Sequence, residues 1–137
     1  MAENMQEYLK KTNELTRKGE YVKALERTLW FHDHALEHDQ AMSGVRLSFA
    51  LGYWEDLGKV YPQAKTAMIE SRDRKLKLLQ ENKGNIDIFK DVVALNRTLG
   101  EDSKSIIYFD EIDKQNSEQA ERYWIFIKRT IIAAKRY

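Results

Sequence analysis

Cysteine is absent from this chain of 137 residues, proline occurs once, and no stretch nears the roughly 18 consecutive apolar residues of a membrane span. The first absence excludes a disulfide framework, a thiolate metal site and a cysteine nucleophile. The N-terminal MAENMQEYLKK lacks the apolar core of a signal peptide, so a cytoplasmic protein without membrane attachment is expected. Nor does one sign of charge dominate. With 23 basic against 22 acidic residues the net charge is +1, so no overall field draws the chain toward nucleic acid or anionic lipid. There is no Gly-x-Ser-x-Gly elbow and no phosphate-cradling glycine loop.

One proline and six glycines leave few places where a helix must stop, and this scarcity points to an all-α chain. Apolar content of 42% excludes disorder and supports one domain over residues 1–137. Residues 3–18 hold good helix formers, with Met5, Leu9, Thr12 and Leu15 along one face before Gly19. Residues 20–38 restart at once, with Val22, Leu25, Leu29 and Leu36 in the rhythm of a buried face, joined by Ala24, Phe31 and Ala35. A third helix is expected over 43–58, capped by Ser43, turning Leu47, Ala50, Leu51, Trp54 and Leu57 inward and ending at Gly58. Pro62 opens a fourth, carrying Ala64, Met68 and Leu76. Asn85 caps a fifth, with Phe89, Val92, Val93 and Leu99, which stops near Gly100. A sixth holds Ile106, Ile107, Phe109 and Ile112, and a seventh runs from about Ser117 to the terminus through Ala120, Tyr123, Trp124, Ile127 and Ile131.

The breaks recur. Gly19, Gly58 and Gly100 lie about forty residues apart, the period of a helical-hairpin unit. Small residues follow each break, at Ala24, Ala64 and Ser105, where a large side chain would hold the two helices of a hairpin apart. An ordinary helical bundle with chance glycine spacing is the alternative. The second unit, with Leu51-Gly52, Gly58, Tyr61, Ala64 and Met68, and the first, with Gly19, Tyr21, Ala24 and Leu25, resemble tetratricopeptide repeats. The third departs from the pattern, with Val92-Val93 and Ser105, and repeat prolines are missing. The resemblance implies a right-handed stack of about three antiparallel hairpins, over about 3–38, 43–82 and 85–115. The helix over about 117–137 then caps its end. It also implies a concave groove, lined by the first helix of each hairpin, that grips a protein or peptide.

Three features bear on chemistry or recognition. His34-Ala-Leu-Glu37-His38 has the His-x-x-Glu-His spacing of inverted zinc hydrolases: two histidines four apart share a helix face, with Glu37 beside them as a base. No third ligand is placed, and His32 points to the other side. The histidines read more economically as the solvated end of a helix, where they suit the dipole. No metal, no cofactor and no catalytic residue are therefore expected. Arg72-Asp73-Arg74-Lys75-Leu76-Lys77, with Lys128-Arg129 and Lys135-Arg136-Tyr137, could meet nucleic acid phosphates but reads as solvated helix surface. Among the aromatics, Trp30, Trp54 and Trp124 fall on apolar faces. Phe49 and Tyr53 instead join Arg46 and Asp56 in a second stripe of the third helix, the composition of a binding hot spot. Lys90 and Arg97, on the corresponding helix of the third unit, would add basic character. The expectation is a non-catalytic scaffold that binds a protein or peptide, acting as adaptor, chaperone or inhibitor, or as an immunity protein masking a toxin. The alternatives are a zinc hydrolase on His34, Glu37 and His38, or a nucleic-acid binder. No small-molecule substrate is expected.

Overall fold

The computed structural model describes residues 4–134, so the basic Lys135-Arg136-Tyr137 lies outside the described residues. Among them are eight α-helices and no strand: α1 (Met5–Arg17), α2 (Tyr21–His38), α3 (Ser43–Arg46), α4 (Phe49–Val60), α5 (Pro62–Gln80), α6 (Ile86–Leu99), α7 (Asp102–Gln115) and α8 (Ser117–Ala134). No described helix is long and apolar enough to cross a membrane. The chain divides into two compact units, residues 1–69 and 70–137, with the boundary inside α5.

In the first unit Asn4 caps α1, its side chain accepting from the Glu7 amide at 2.8 Å. Gly19 closes the helix with φ of +80°. α2 returns antiparallel: Arg27 donates from Nε to Thr12 Oγ1 at 3.0 Å and from Nη2 to the Tyr8 carbonyl at 2.9 Å, its guanidinium 3.8 Å from the Tyr8 ring centroid. Met5, Leu9, Phe31, Ala35, Met42 and Ala50 form the core here. α4 and the start of α5 make a second hairpin across Tyr61, where Trp54 Nε1 donates to the Ala64 carbonyl at 2.9 Å. Ala24 and Ala64 are both fully buried, as their positions after the breaks require. Val22 and Gly58 depart from expectation in this unit. Val22 is exposed, because the inward face of α2 is set by Ala24, Phe31, His32 and Ala35. Gly58 does not end its helix: α4 runs on to Val60, and a Cβ at position 58 would meet the Cβ of Lys65 only at contact distance, 3.4 Å.

The expected helix over 43–58 is divided. A single 3-10 turn, Gln40–Met42, precedes α3, and Ser43 is the first residue of that helix rather than its cap. The chain leaves helical geometry at Leu47 and Ser48, where the Ser48 hydroxyl donates to the Gly44 carbonyl at 2.7 Å. A serine that satisfies the carbonyl four residues back bends or interrupts a helix, and Gly44 weakens the same turn. Eight helices therefore replace the expected seven.

In the second unit α6 has almost no solvated face. Phe89 and every residue from 91 to 96 are buried, including Asp91 and Asn96. Asn85 caps this helix, accepting from the Ile88 amide at 3.0 Å. Gly100 ends it at φ of +74°, a left-handed value that costs glycine little, and the Glu101 amide donates back to the Asn96 carbonyl at 2.7 Å. Leu79, Phe89, Val92, Tyr108, Phe109, Ile112, Tyr123 and Ile127 form the core, with Phe89 stacked on Tyr123 at 4.4 Å. Trp124, expected in that core, is 40% exposed, its ring tilted toward that of Phe109.

The polar residues of α6 are answered by the segment expected to be solvated. Lys75 is buried and donates to Asp91 Oδ2 at 2.9 Å. Arg72, 3% exposed, donates from Nη1 to Asn96 Oδ1 at 2.7 Å and Glu101 Oε1 at 3.0 Å, and from Nε to Asp73 Oδ1 at 2.7 Å. Asn96 in turn donates to Ser105 Oγ at 2.8 Å, with Ser105 fully buried. Burial opposes the Arg72 charge, and the hydrogen bonds to Asp73 and Glu101 outweigh it, so its pKa stands above the ordinary arginine value. The bond from Arg72, against a smaller desolvation, holds the Glu101 carboxyl below the usual carboxylate range.

Removing one member of a buried ion pair leaves its partner charged and poorly solvated. Lys75→Met is expected to cost about 3–5 kcal/mol in urea melts, and Lys75→Met with Asp91→Leu to cost less than the single change. Glu101 generates a pH dependence. Its folded pKa is depressed, so its stabilisation is present above the unfolded value, near 4.5, and is lost as pH falls through the lower folded value. The stability gap between wild type and Glu101→Gln, read from urea midpoints at several pH values, is expected to close as pH drops below the carboxylate range.

Candidate functional site

In the first unit α1 carries Gln6, Lys10, Asn13 and Arg17 on a stripe beside its buried face, at spacings of four, three and four. These residues form one wall of a groove of about 320 Å3 whose other wall is Val45, Phe49 and Tyr53, with Leu9 and Glu14 completing it. Phe49 is 67% exposed and Tyr53 38%. Phe49 is the first residue of α4, one position before the buried Ala50 and Leu51, and its ring stays largely open to solvent. Among the described residues Lys10, Glu14 and Arg17 make no ion pair, so the groove presents two cations and one carboxylate beside two aromatic rings.

The expected stripe does not survive as one face. Phe49 and Tyr53 remain together on α4, and Asp56 is exposed on the same helix, paired with Lys59 at 3.5 Å. Arg46 lies on α3, before the break, and is buried, its Nε donating to the His32 carbonyl. Tyr53, Arg46, His32, Thr12 and Trp54 surround a cavity of about 10 Å3, room for one water. Arg46 is thus buried beside that cavity and is not part of the groove's lining. Lys90 and Arg97 belong to the second unit. There the Lys90 ammonium sits 5.0 Å from the Phe126 ring centroid, and Arg97, exposed, reaches Thr130 Oγ1 at 3.5 Å.

The α1 wall went unread in the sequence. Its polar residues at 6, 10, 13 and 17 have helical spacing, but only a groove opposite them distinguishes that stripe from ordinary solvated surface.

The histidines take separate places. His32, expected to be solvated, is buried with its ring edge-on to Trp54 at 5.4 Å. His34 and His38 lie against the Trp30 ring at 5.6 and 5.2 Å, and Glu37 Oε2 is 3.1 Å from His34 Nδ1. Glu37 is thereby engaged with one of the two histidines it would serve as a base. Among the described residues no three His, Asp or Glu side chains gather closely enough to hold a metal ion.

Compared with known proteins, the chain matches no protein family, no curated protein and no solved structure.

The two arginine and phenylalanine positions of the stripe separate experimentally. Arg46→Ala removes a buried side chain together with its bond to the His32 carbonyl and is expected to destabilise by about 1–3 kcal/mol. Phe49→Ala removes an exposed ring and is expected to change stability by no more than about 0.5 kcal/mol. Thermal and denaturant melts of the two variants check the contrast.

Proposed function

We propose that this protein is a non-catalytic binding module, built from tetratricopeptide-like hairpins, that takes a segment of another protein into the groove between α1 and α4. The observation that carries this reading is the exposure of Phe49 and Tyr53 side by side in a concave surface rimmed by Lys10, Glu14 and Arg17. Large aromatic side chains in such a setting give up apolar surface to a partner at little cost in side-chain entropy, and nearby charges set its register. An occupant with an apolar anchor and a net acidic flank suits the two cations and one carboxylate. Adaptor, chaperone and toxin-neutralising roles all use such a groove, and each fits a cytoplasmic protein that works through its partner.

The nucleic-acid reading is the weaker one, because Arg72 and Lys75, the centre of its basic segment, are themselves buried and committed to carboxylates and an amide of the fold. The hydrolase reading has His34 and Glu37 paired with each other on a half-exposed helix end, and among the described residues no three His, Asp or Glu side chains gather to hold a metal ion.

A displayed library of short helical peptides, panned against the folded protein, tests the groove directly. Enriched peptides are expected to carry an aromatic or leucine anchor with acidic residues. By calorimetry they are expected to bind Phe49→Ala with Tyr53→Ala more weakly by about 2 kcal/mol or more. Equal affinity for wild type and a well-folded double variant would refute the assignment.

A further inference from the structure

The second unit holds another concave surface, an open groove of about 510 Å3 between α7 and α8. Its floor is apolar. Phe109 and Trp124 meet there with centroids 6.0 Å apart, beside Ala120. Asp110, Asp113 and Glu121 rim it, all exposed, and no basic residue lines it. This one-sided charge stands out in a chain whose net charge is +1. Some exposed carboxylates elsewhere find cations three residues away, as Asp56 does with Lys59 and Glu20 with Lys23, but here three of one sign line a single apolar concavity. Among the described residues, none of Asp110, Asp113 and Glu121 makes an ion pair or side-chain hydrogen bond. Asp110 and Asp113 also sit in the C-terminal half of α7, where the helix dipole deepens the negative potential.

We infer that the α7–α8 groove is a docking site for a basic segment of another protein, one that presents arginine or lysine beside an apolar side chain. Charge complementarity selects that occupant. A guanidinium laid over the exposed face of Trp124 gains a cation–π contact, its aliphatic stem covers the apolar floor, and its donors reach the carboxylates on the rim. An acidic or purely apolar occupant would leave three carboxylates facing like charge or losing water without compensation. The site is independent of the groove between α1 and α4 and stands or falls separately from it.

The probe is a fluorescein-labelled octapeptide of alternating arginine and leucine, with an alternating glutamate and leucine peptide as its counterpart, followed by anisotropy at low and high salt. The arginine peptide is expected to bind saturably, the glutamate peptide not to bind, and the affinity to fall steeply with salt. Asp110→Asn, Asp113→Asn and Glu121→Gln together are expected to weaken binding at least about tenfold. These side chains are exposed and, among the described residues, make no ion pair or side-chain hydrogen bond, so the fold is expected to stand, with a circular dichroism melt as the check. Should the triple variant melt early, the single charge reversal Asp113→Lys provides the same reading. Trp124→Ala is expected to weaken binding while salt dependence persists, and Phe49→Ala with Tyr53→Ala to leave it unchanged. Binding that survives neutralisation of the rim in a folded variant, or that follows Phe49 and Tyr53 instead, would overturn the proposal.

Discussion

A helix buried on nearly all sides can carry polar residues only if its neighbours answer each one, and α6 carries two. Asp91 and Asn96 lie in an unbroken run of buried residues, so the α5 residues opposite them are fixed in kind: a cation for Asp91, and a donor for the Asn96 carbonyl oxygen. Lys75 and Arg72 meet those demands three residues apart on α5, while Asp91 and Asn96 lie five apart on α6. Arg72 then requires a second acceptor. The left-handed residue at Gly100 reverses the chain so that Glu101 supplies it, and the α6–α7 turn is thereby tied to α5. Ser105 completes the chain of bonds by accepting from the Asn96 amide, which explains a serine where the hairpin pattern calls for alanine. The pairs are exacting in geometry, since a slip of one residue along either helix would bury an unmatched charge.

That network also explains which parts of the fold were readable beforehand. Helix starts and stops follow local chemistry, so Asn85 as a cap, Pro62 as a first residue and Gly100 as a terminator are all legible from neighbouring residues. The inward faces of α1 and α6 follow from periodicity for the same reason. What periodicity misassigns is the basic run from Arg72 to Lys77. Charged side chains are solvated by default, and only the tertiary position of Asp91 and Asn96, far along the chain, reverses the assignment for two of them. Val22 and Trp124 fail in the opposite sense. Both lie on apolar stripes, but the stripes are wider than the surface available to cover them.

The division at Leu47 and Ser48 shapes the candidate site more than any other local event. A continuous helix would have set Arg46, Phe49, Tyr53 and Asp56 on one stripe. The break turns Arg46 inward to the His32 carbonyl and leaves Phe49 at the mouth of α4, where α1 supplies the opposing wall. The aromatic half of the recognition surface was thus visible in the sequence. The cationic half was sought in Arg46, whereas Lys10 and Arg17 are the cations that line the groove. Spacing within one helix reveals a stripe; it carries no information about the wall across a groove.

Exposed apolar side chains do not by themselves mark a binding surface, because much of any folded surface is apolar. Val60 and Ile107 are more than half exposed and nothing recommends them as sites. Phe49 with Tyr53, and Trp124 with Phe109, differ in two ways at once. Each pair lies in a concavity, where a partner can remove water from several faces of a ring together. Each is also flanked by charges that make no ion pair among the described residues, at a position where pairing would be easy to supply. Folding alone gains nothing from either feature, since an exposed ring contributes little to stability and an unpaired surface charge less. The two concavities differ in the sign of their unpaired charge, mixed with a basic excess in one and wholly acidic in the other. A single partner chemistry would not satisfy both, so the two units are suited to different occupants.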